Sequence, residues 1–417
     1  MAFSVLFSVW TARTIGADNY GELLFAFSAV SIILTMAGLG MDHYMVQVMS
    51  SEQAVGSSYL SSLFGLRLAS GLFFSILGCM VLLCSNWDES RIALCLVLGI
   101  QIPFVCLNVF HAKLKSRECF TGVAIIQLLS LLISSFVKIW VLLNDEGLIY
   151  LGWAISLDVI CIALFCAYTA YAKGFVAFPL FQWKWDEIKV HFKRALFLLV
   201  GALSAILYMR VDQIMITEML GSESTAHYGV AVRLVDSWIP LLSVFVSTAL
   251  PSLTRKFNAF PNVFNEEYLK LISRLMKICC GLAVVYFFFG HQLVISVFGN
   301  EYRAGAPLCA LLVWSLPFVM LSHTSWTYYL QHDLYLIGSI RLFIGAMLNI
   351  GLNIILIKSH GLMGCVIATL ISYSVSSFFI HAFFSKTRKL FFLQCIGMVK
   401  ILSLNSWIND FSNKENE

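Results

Sequence analysis

Residues 195–219, ALFLLVGALSAILYMRVDQIMITEM, and 227–250, HYGVAVRLVDSWIPLLSVFVSTAL, decide the fold class: each is long enough to cross a bilayer, yet together they carry Arg210, Asp212, Arg233 and Asp236. A charge at the centre of an inserted helix costs about 2.5 to 3.5 kcal/mol, so such residues face a protein-lined or water-filled interior rather than lipid. The two stretches therefore belong to a membrane protein with a polar interior. That interior points towards moving something polar across the bilayer.

Composition excludes the soluble alternatives. With 59% apolar residues, 12% charged residues and 34 phenylalanines, the chain has too little polar surface to solvate a globular protein of 417 residues. The apolar residues fall into runs of about 20, enough for a hydrocarbon core ~30 Å thick. Twelve spans follow: 1–15, 23–42, 59–84, 91–111, 120–143, 148–171, 195–219, 227–250, 273–298, 304–330, 334–357 and 362–384. The first is short, so either an upstream start extends it or it inserts obliquely with its flank snorkelling. It lacks the basic n-region and small-residue cleavage site of a signal peptide.

Lysine and arginine set the orientation. They crowd residues 113–117, 173–194, 255–277 and 386–414, whereas the opposite connections hold only Arg13, Arg91, Arg303 and Lys358. Both termini are thus expected in the cytoplasm, and the net charge of +4 reflects this bias rather than nucleic-acid binding.

The chain also repeats itself. Pro103-Phe104 and Pro317-Phe318 lie in the fourth and tenth spans, and Gly147-Leu148 and Gly361-Leu362 open the sixth and twelfth at the same separation. Gly16 with Tyr20-Gly21 resembles Gly221 with Tyr228-Gly229 near the start of each half. An ancient duplication of six spans gives two lobes of like orientation, residues 1–171 and 195–385. Residues 172–194, with Pro179, Trp183 and Trp185, form a cytoplasmic amphipathic linker, and 386–417 a cytoplasmic tail.

Periodicity picks out polar faces. Gln127, Ser130, Ser134 and Lys138 recur at helical spacing, as do Gln101, Asn108 and His111; Arg233, Asp236, Pro240, Ser243 and Ser247 form one stripe in the eighth span. Arg210, Gln213 and Thr217 share a face of the seventh, while Asp212 points roughly opposite to Arg210. Arg67, Lys138, Arg233 and Arg341 lie near span ends, where a snorkelling role competes with substrate contact. Arg210 and Asp212 lie deeper, where a functional role competes with an interhelical ion pair. Asp158, midway along the sixth span without a local basic partner, reads as either a protonated structural acid or a proton-coupling group.

Other chemistry has little support. The twelve cysteines form no paired CxxC units and the nine histidines no HExxH set, which argues against a metal centre or a disulfide framework. Neither a phosphate-binding loop nor an ATPase domain is present, so no cofactor is expected and transport is driven by a gradient or by consumption of the product.

Tyr208-Met209-Arg210-Val211-Asp212-Gln213-Ile214-Met215-Ile216, with Met219-Leu220-Gly221 and Tyr228-Gly229-Val230-Ala231-Val232-Arg233-Leu234, resembles the seventh and eighth helices of Wzx-type O-antigen and polysaccharide repeat-unit flippases. These belong to the multidrug/oligosaccharidyl-lipid/polysaccharide exporter superfamily. Ala12-Arg13-Thr14-Ile15-Gly16, Tyr20-Gly21 and Gly38-Leu39-Gly40-Met41-Asp42 resemble the same family's first two helices.

The resemblance implies an all-α polytopic fold: two pseudo-symmetric six-helix lobes around a central cavity that alternates between cytoplasmic and periplasmic access. Its substrate is an undecaprenyl-diphosphate-linked oligosaccharide, its location the bacterial inner membrane, and its partners a polysaccharide polymerase and a chain-length regulator. A diphosphate demands cations and a sugar demands hydroxyl and amide partners. Arg210 and Arg233 are thus the first candidates for anion contact and Arg67, Lys138 and Arg341 the second, with Asp212, Asp236 and Asp158 positioning charge or exchanging protons. A drug exporter or peptidoglycan-precursor flippase of the superfamily shares the architecture. A polysaccharide polymerase needs a large periplasmic catalytic loop that these short connections lack.

Overall fold

The computed structural model describes residues 2–50, 57–144, 146–176, 180, 182–259 and 261–400. Every described element is helical, as apolar runs require in a solvent that cannot satisfy backbone polar groups. In chain order these are α1 Ala2–Gly38, α2 Asp42–Ser50, α3 Ser57–Cys84, α4 Glu89–Gly99, α5 Asn108–Ser116, α6 Phe120–Leu143, α7 Leu148–Ala172 and α8 Trp185–Leu220. There follow α9 Ser222–Asp236, α10 Ile239–Ala259, α11 Pro261–Phe298, α12 Ala306–Leu312, α13 Ser315–Gln331, α14 Tyr335–Ser374, α15 Ile380–Phe383 and α16 Arg388–Val399.

Among the described residues nine helical stretches are long and apolar enough to cross a membrane, or ten if the bent pair Asn300–Leu312 and Ser315–Gln331 is one span. Two of them, Val5–Ser50 with 46 residues and Tyr335–Phe383 with 49, are far longer than one crossing needs. Both are interrupted by a non-helical glycine, Gly16 in the first and Gly361 in the second. Gly361 adopts φ 58° and turns the chain back on itself, so that a Cβ on Gly364 would stand 1.9 Å from the Leu356 carbonyl oxygen. Dividing each long stretch at its glycine recovers the expected twelve apolar segments.

The repeat is legible in the backbone. Gly16 and Gly221 take φ of 78° and 91°, and Gly147 and Gly361 take 93° and 58°, each pair at a junction between helices. The two prolines interrupt matching spans: Pro103 opens a 3-10 turn between α4 and α5, and Pro317 sits just after the break between α12 and α13.

Backbone contacts divide the chain into two compact units, Asp18–Ile214 and a second made of Met1–Ala17 with Met215–Glu417. These edges differ from the lobe boundaries 1–171 and 195–385: the first segment of α1 groups with the later half of the chain, and most of α8 with the earlier. In the second unit Tyr302 donates to the Ala12 carbonyl at 2.7 Å, the Ala17 amide donates to Glu301 Oε1 at 2.6 Å, and Arg13 donates to the Ser296 carbonyl. In the first unit α8 packs so closely on the turn after α1 that a Cβ on Gly40 would lie 2.7 Å from the Leu198 carbonyl oxygen.

The first unit's core joins Met41, Met45, Leu63, Leu66, Val109, Phe110 and Leu114. The segment leading into α8 is fastened to this unit: the Lys184 amide donates to Ser62 Oγ at 3.1 Å and Ser62 donates to Glu187 at 3.0 Å. Pro179 and residues 401–417 lie outside the described residues. The expected tail is not wholly a tail, because 388–399 form α16, whose Leu390, Leu393, Gln394 and Gly397 are buried against the second unit.

Candidate functional site

Arg210 is half-buried on α8, its guanidinium carbon 5.0 Å from the centroid of Phe27 on the second segment of α1. Three residues along α8, Gln213 accepts a hydrogen bond from Ser28 at 2.6 Å. Adjacent residues of one helix thus meet residues one turn apart on the other, the register expected of two packed helices. Asp212 is only 5% exposed.

The first unit holds three further intramembrane charges from the expected set. Arg67 on α3 is fully buried, and its Nη2 lies 2.7 Å from Asp42 Oδ1 at the start of α2. Its Nε and Nη1 are buried without a hydrogen-bond partner. On α6 and α7, which pack as a hairpin, Lys138 and Asp158 are both half-buried and their charges interact. The basic partner missing around Asp158 in the sequence therefore comes from the neighbouring helix. A pair that sequence reasoning missed joins Arg91 to Glu22 at 2.8 and 2.5 Å, with Arg91 also 4.9 Å from the Phe25 ring. Nothing in the sequence links two residues so far apart.

The second unit holds Arg233, Asp236 and Arg341. Arg233 is half-buried in the last turn of α9, and exposed Asp236 ends that helix. The stripe from Arg233 through Pro240 to Ser247 runs over two helices, α9 and α10, within the single apolar stretch Ser222–Phe257. The helix breaks at Ser237 and Trp238, because proline at 240 cannot donate into a continuous ladder.

Arg341 is 3% exposed and donates to Ser322 Oγ at 2.9 Å and to the Ser322 and Ser376 carbonyls at 3.4 and 3.3 Å. Its guanidinium carbon lies 5.5 Å from the Tyr329 ring. Ser376 belongs to a π-helical turn, Val375–Phe379, which diverts carbonyls from the ordinary ladder and leaves them to such a donor.

Beside Arg341 lies a buried polar circuit that the sequence did not disclose. Tyr329 Oη is 2.5 Å from His381 Nε2, His381 Nδ1 is 3.0 Å from Gln394 Oε1, and Gln394 Nε2 donates to Ser325 Oγ at 2.9 Å. Because Gln394 Nε2 also donates to the Ser377 carbonyl, its Oε1 faces the imidazole and Nδ1 carries the proton. Tyr329 then donates to Nε2. Among the described residues no group of three His, Cys, Asp or Glu side chains could hold a metal ion.

The chain belongs to the polysaccharide biosynthesis protein family, whose sequence profile matches residues 11–307. Among solved structures, an inward-facing multidrug resistance MATE family transporter of the MOP superfamily is similar at 14% identity, with a TM-score of 0.71 and 94% of each chain covered. The lipid II flippase MurJ in an inward closed conformation is similar at 18% identity and a TM-score of 0.71, covering 100% of this chain and 92% of that one. A MOP superfamily transporter from Pyrococcus furiosus aligns at 15% identity and a TM-score of 0.61, covering 97% and 92%. No curated protein matches. The resemblance read from the helix motifs agrees with the family and with this shared all-α membrane fold.

Proposed function

We propose that the chain is a flippase that carries undecaprenyl-diphosphate-linked oligosaccharide repeat units, of O-antigen or a related surface polysaccharide, from the cytoplasmic to the periplasmic leaflet by alternating access. The observation that carries this reading is Arg210, a cation seated on an arene within a membrane helix of a polysaccharide-family protein. A guanidinium at that depth suits a diphosphate or an anionic sugar. Arg233 is the second anion-contacting residue, and Lys138, Arg67 and Arg341 are weaker ones, the last two being held by protein partners. Asp212, Asp236 and Asp158 position these cations or exchange protons. The protein works as a secondary transporter in the inner membrane with both termini in the cytoplasm, and delivers its product to a polymerase and chain-length regulator.

The full-length likeness to a lipid II flippase favours a peptidoglycan precursor as the second reading. Exposure of lipid-linked sugar to an impermeant probe, followed in spheroplasts with and without the protein and with redundant flippases removed, tests the assignment. Outward exposure of repeat units is expected to depend on the protein. Unchanged exposure refutes a flippase, and loss of polymer length alone points to a polymerase.

A further inference from the structure

The helix after the last span has two unlike faces. With twelve residues α16 is about 18 Å long, too short to cross a core of ~30 Å. One face is locked to the protein: Gln394 closes the circuit with His381 and Ser325, and a Cβ on Gly397 would stand 2.6 Å from Ile272 Cγ2. The opposite face leaves Phe392, Ile396 and Val399 exposed by 62%, 47% and 65%, at steps of four and three residues. On the flank between the two faces, Phe391 packs against the end of the membrane stretch, its ring 4.8 Å from that of Phe378.

The charges at the start of α16 are placed against its own dipole. Lys386, Arg388 and Lys389 are exposed at its N-terminus, where partial positive charge disfavours cations. No side chain caps the helix, since Thr387 donates its hydroxyl backwards to the His381 and Phe384 carbonyls. Arg388 Nε donates to the Ala382 carbonyl at 3.3 Å, a neutral acceptor. No Asp or Glu occurs between Asp333 and Asp410, and Glu267 on the adjoining α11 is engaged by Lys256 and Lys270 at 3.6 and 3.1 Å. Three cations and an uncapped helix start thus gather where an exposed apolar helix face follows the last apolar stretch, Tyr335–Phe383.

We propose that α16 is an interfacial helix that binds anionic phospholipid: Phe392, Ile396 and Val399 sink into the acyl boundary, while Lys386, Arg388, Lys389 and the first-turn amides hold the lipid phosphate. The chemistry is that of amphipathic helices at anionic membranes, in which each cation near the surface strengthens binding about fivefold. This surface is independent of the transported substrate.

The purified full-length protein, titrated in detergent with phosphatidylglycerol, phosphatidylcholine or inorganic phosphate, is read by lipid retained in native mass spectrometry and by the thermal midpoint. Phosphatidylglycerol is expected to be retained in preference to phosphatidylcholine. The triple variant Lys386→Gln/Arg388→Gln/Lys389→Gln is expected to lose that preference while melting like the parent in phosphatidylcholine. The double variant Phe392→Ser/Ile396→Ser is expected to lower retention of both lipids. If the triple variant does not fold, Lys389→Gln alone is expected to weaken phosphatidylglycerol about fivefold. A preference that survives the neutral variants overturns the proposal, as does an equal midpoint shift from inorganic phosphate. A chain ended after Lys400 is expected to keep the preference; its loss there moves the site to residues 401–417 and overturns the assignment to α16.

Discussion

Arg210 and Phe27 meet as cation and arene at 5.0 Å, in the seam where Ser28 also bonds Gln213. A ring against one face of a guanidinium fixes its plane and directs its N–H groups sideways, a constraint that a lysine in the same place would not feel. Arg210→Ala is expected to abolish transport while leaving membrane abundance near normal, and Arg210→Lys to recover only part. Phe27→Leu is expected to lower transport about two- to thirtyfold, with Phe27→Tyr close to the parent. Transport assays with quantitative membrane blots check this; a fully active Arg210→Ala removes the central residue of the anion-contact reading.

Asp42 and Arg67 form a pair with unequal burial, the carboxylate side chain 68% exposed and the guanidinium 0%. Removing the acid strands a buried cation, whereas removing the cation leaves an acid still solvated. Asp42→Ala is therefore expected to lower the melting temperature in detergent more than Arg67→Met. The reverse order shows that the pair does not hold the turn between α1 and α2.

Gln394 is expected to matter to stability although it lies beyond the last membrane span. Replacing it by leucine leaves His381 Nδ1 without its buried acceptor, at a cost of about 1–3 kcal/mol. Gln394→Leu and a chain ended after Thr387 should both lower the melting temperature, and a neutral outcome for both makes α16 an ornament of the second unit rather than part of it.

The membrane fold was legible because it rests on local signals. Apolar length gave the spans, and glycine or proline marked their breaks, so the junctions at Gly16, Gly147, Gly221 and Gly361 stood in the sequence. The charged candidates were equally visible, since charge inside an apolar run stands out at once. Their partners were not. Glu22 with Arg91, Lys138 with Asp158 and Phe27 with Arg210 join residues on different helices, and helical periodicity carries no information about which helix lies next door. Gln394 was hidden for a further reason: a twelve-residue helix is too short for a hydropathy reading, so its segment looked like tail.

Topology is expected to follow the basic residues. Reporter fusions at 185 and 390 should be active in the cytoplasm and those at 145 and 301 in the periplasm. Reversal at two or more sites overturns the twelve-span arrangement, and position 390 checks in addition that α16 lies on the cytoplasmic side.

Lys138 and Asp158 separate a coupling role from a packing role. The two half-buried groups lie on the two helices of the α6–α7 hairpin with charges of opposite sign, so removing one changes the field felt by the other. If the pair only packs, Lys138→Met and Asp158→Leu are each expected to destabilise the protein. The double variant should then recover both stability and transport, giving a coupling energy of about 0.5–3 kcal/mol in a double-mutant cycle. If Asp158 takes up a proton during transport, the double variant stays folded but inactive, and Asp158→Asn, which keeps the shape without the charge, is inactive as well. Melting curves and transport rates for the four proteins decide between the two, and an active, stable Asp158→Asn excludes proton coupling at this residue.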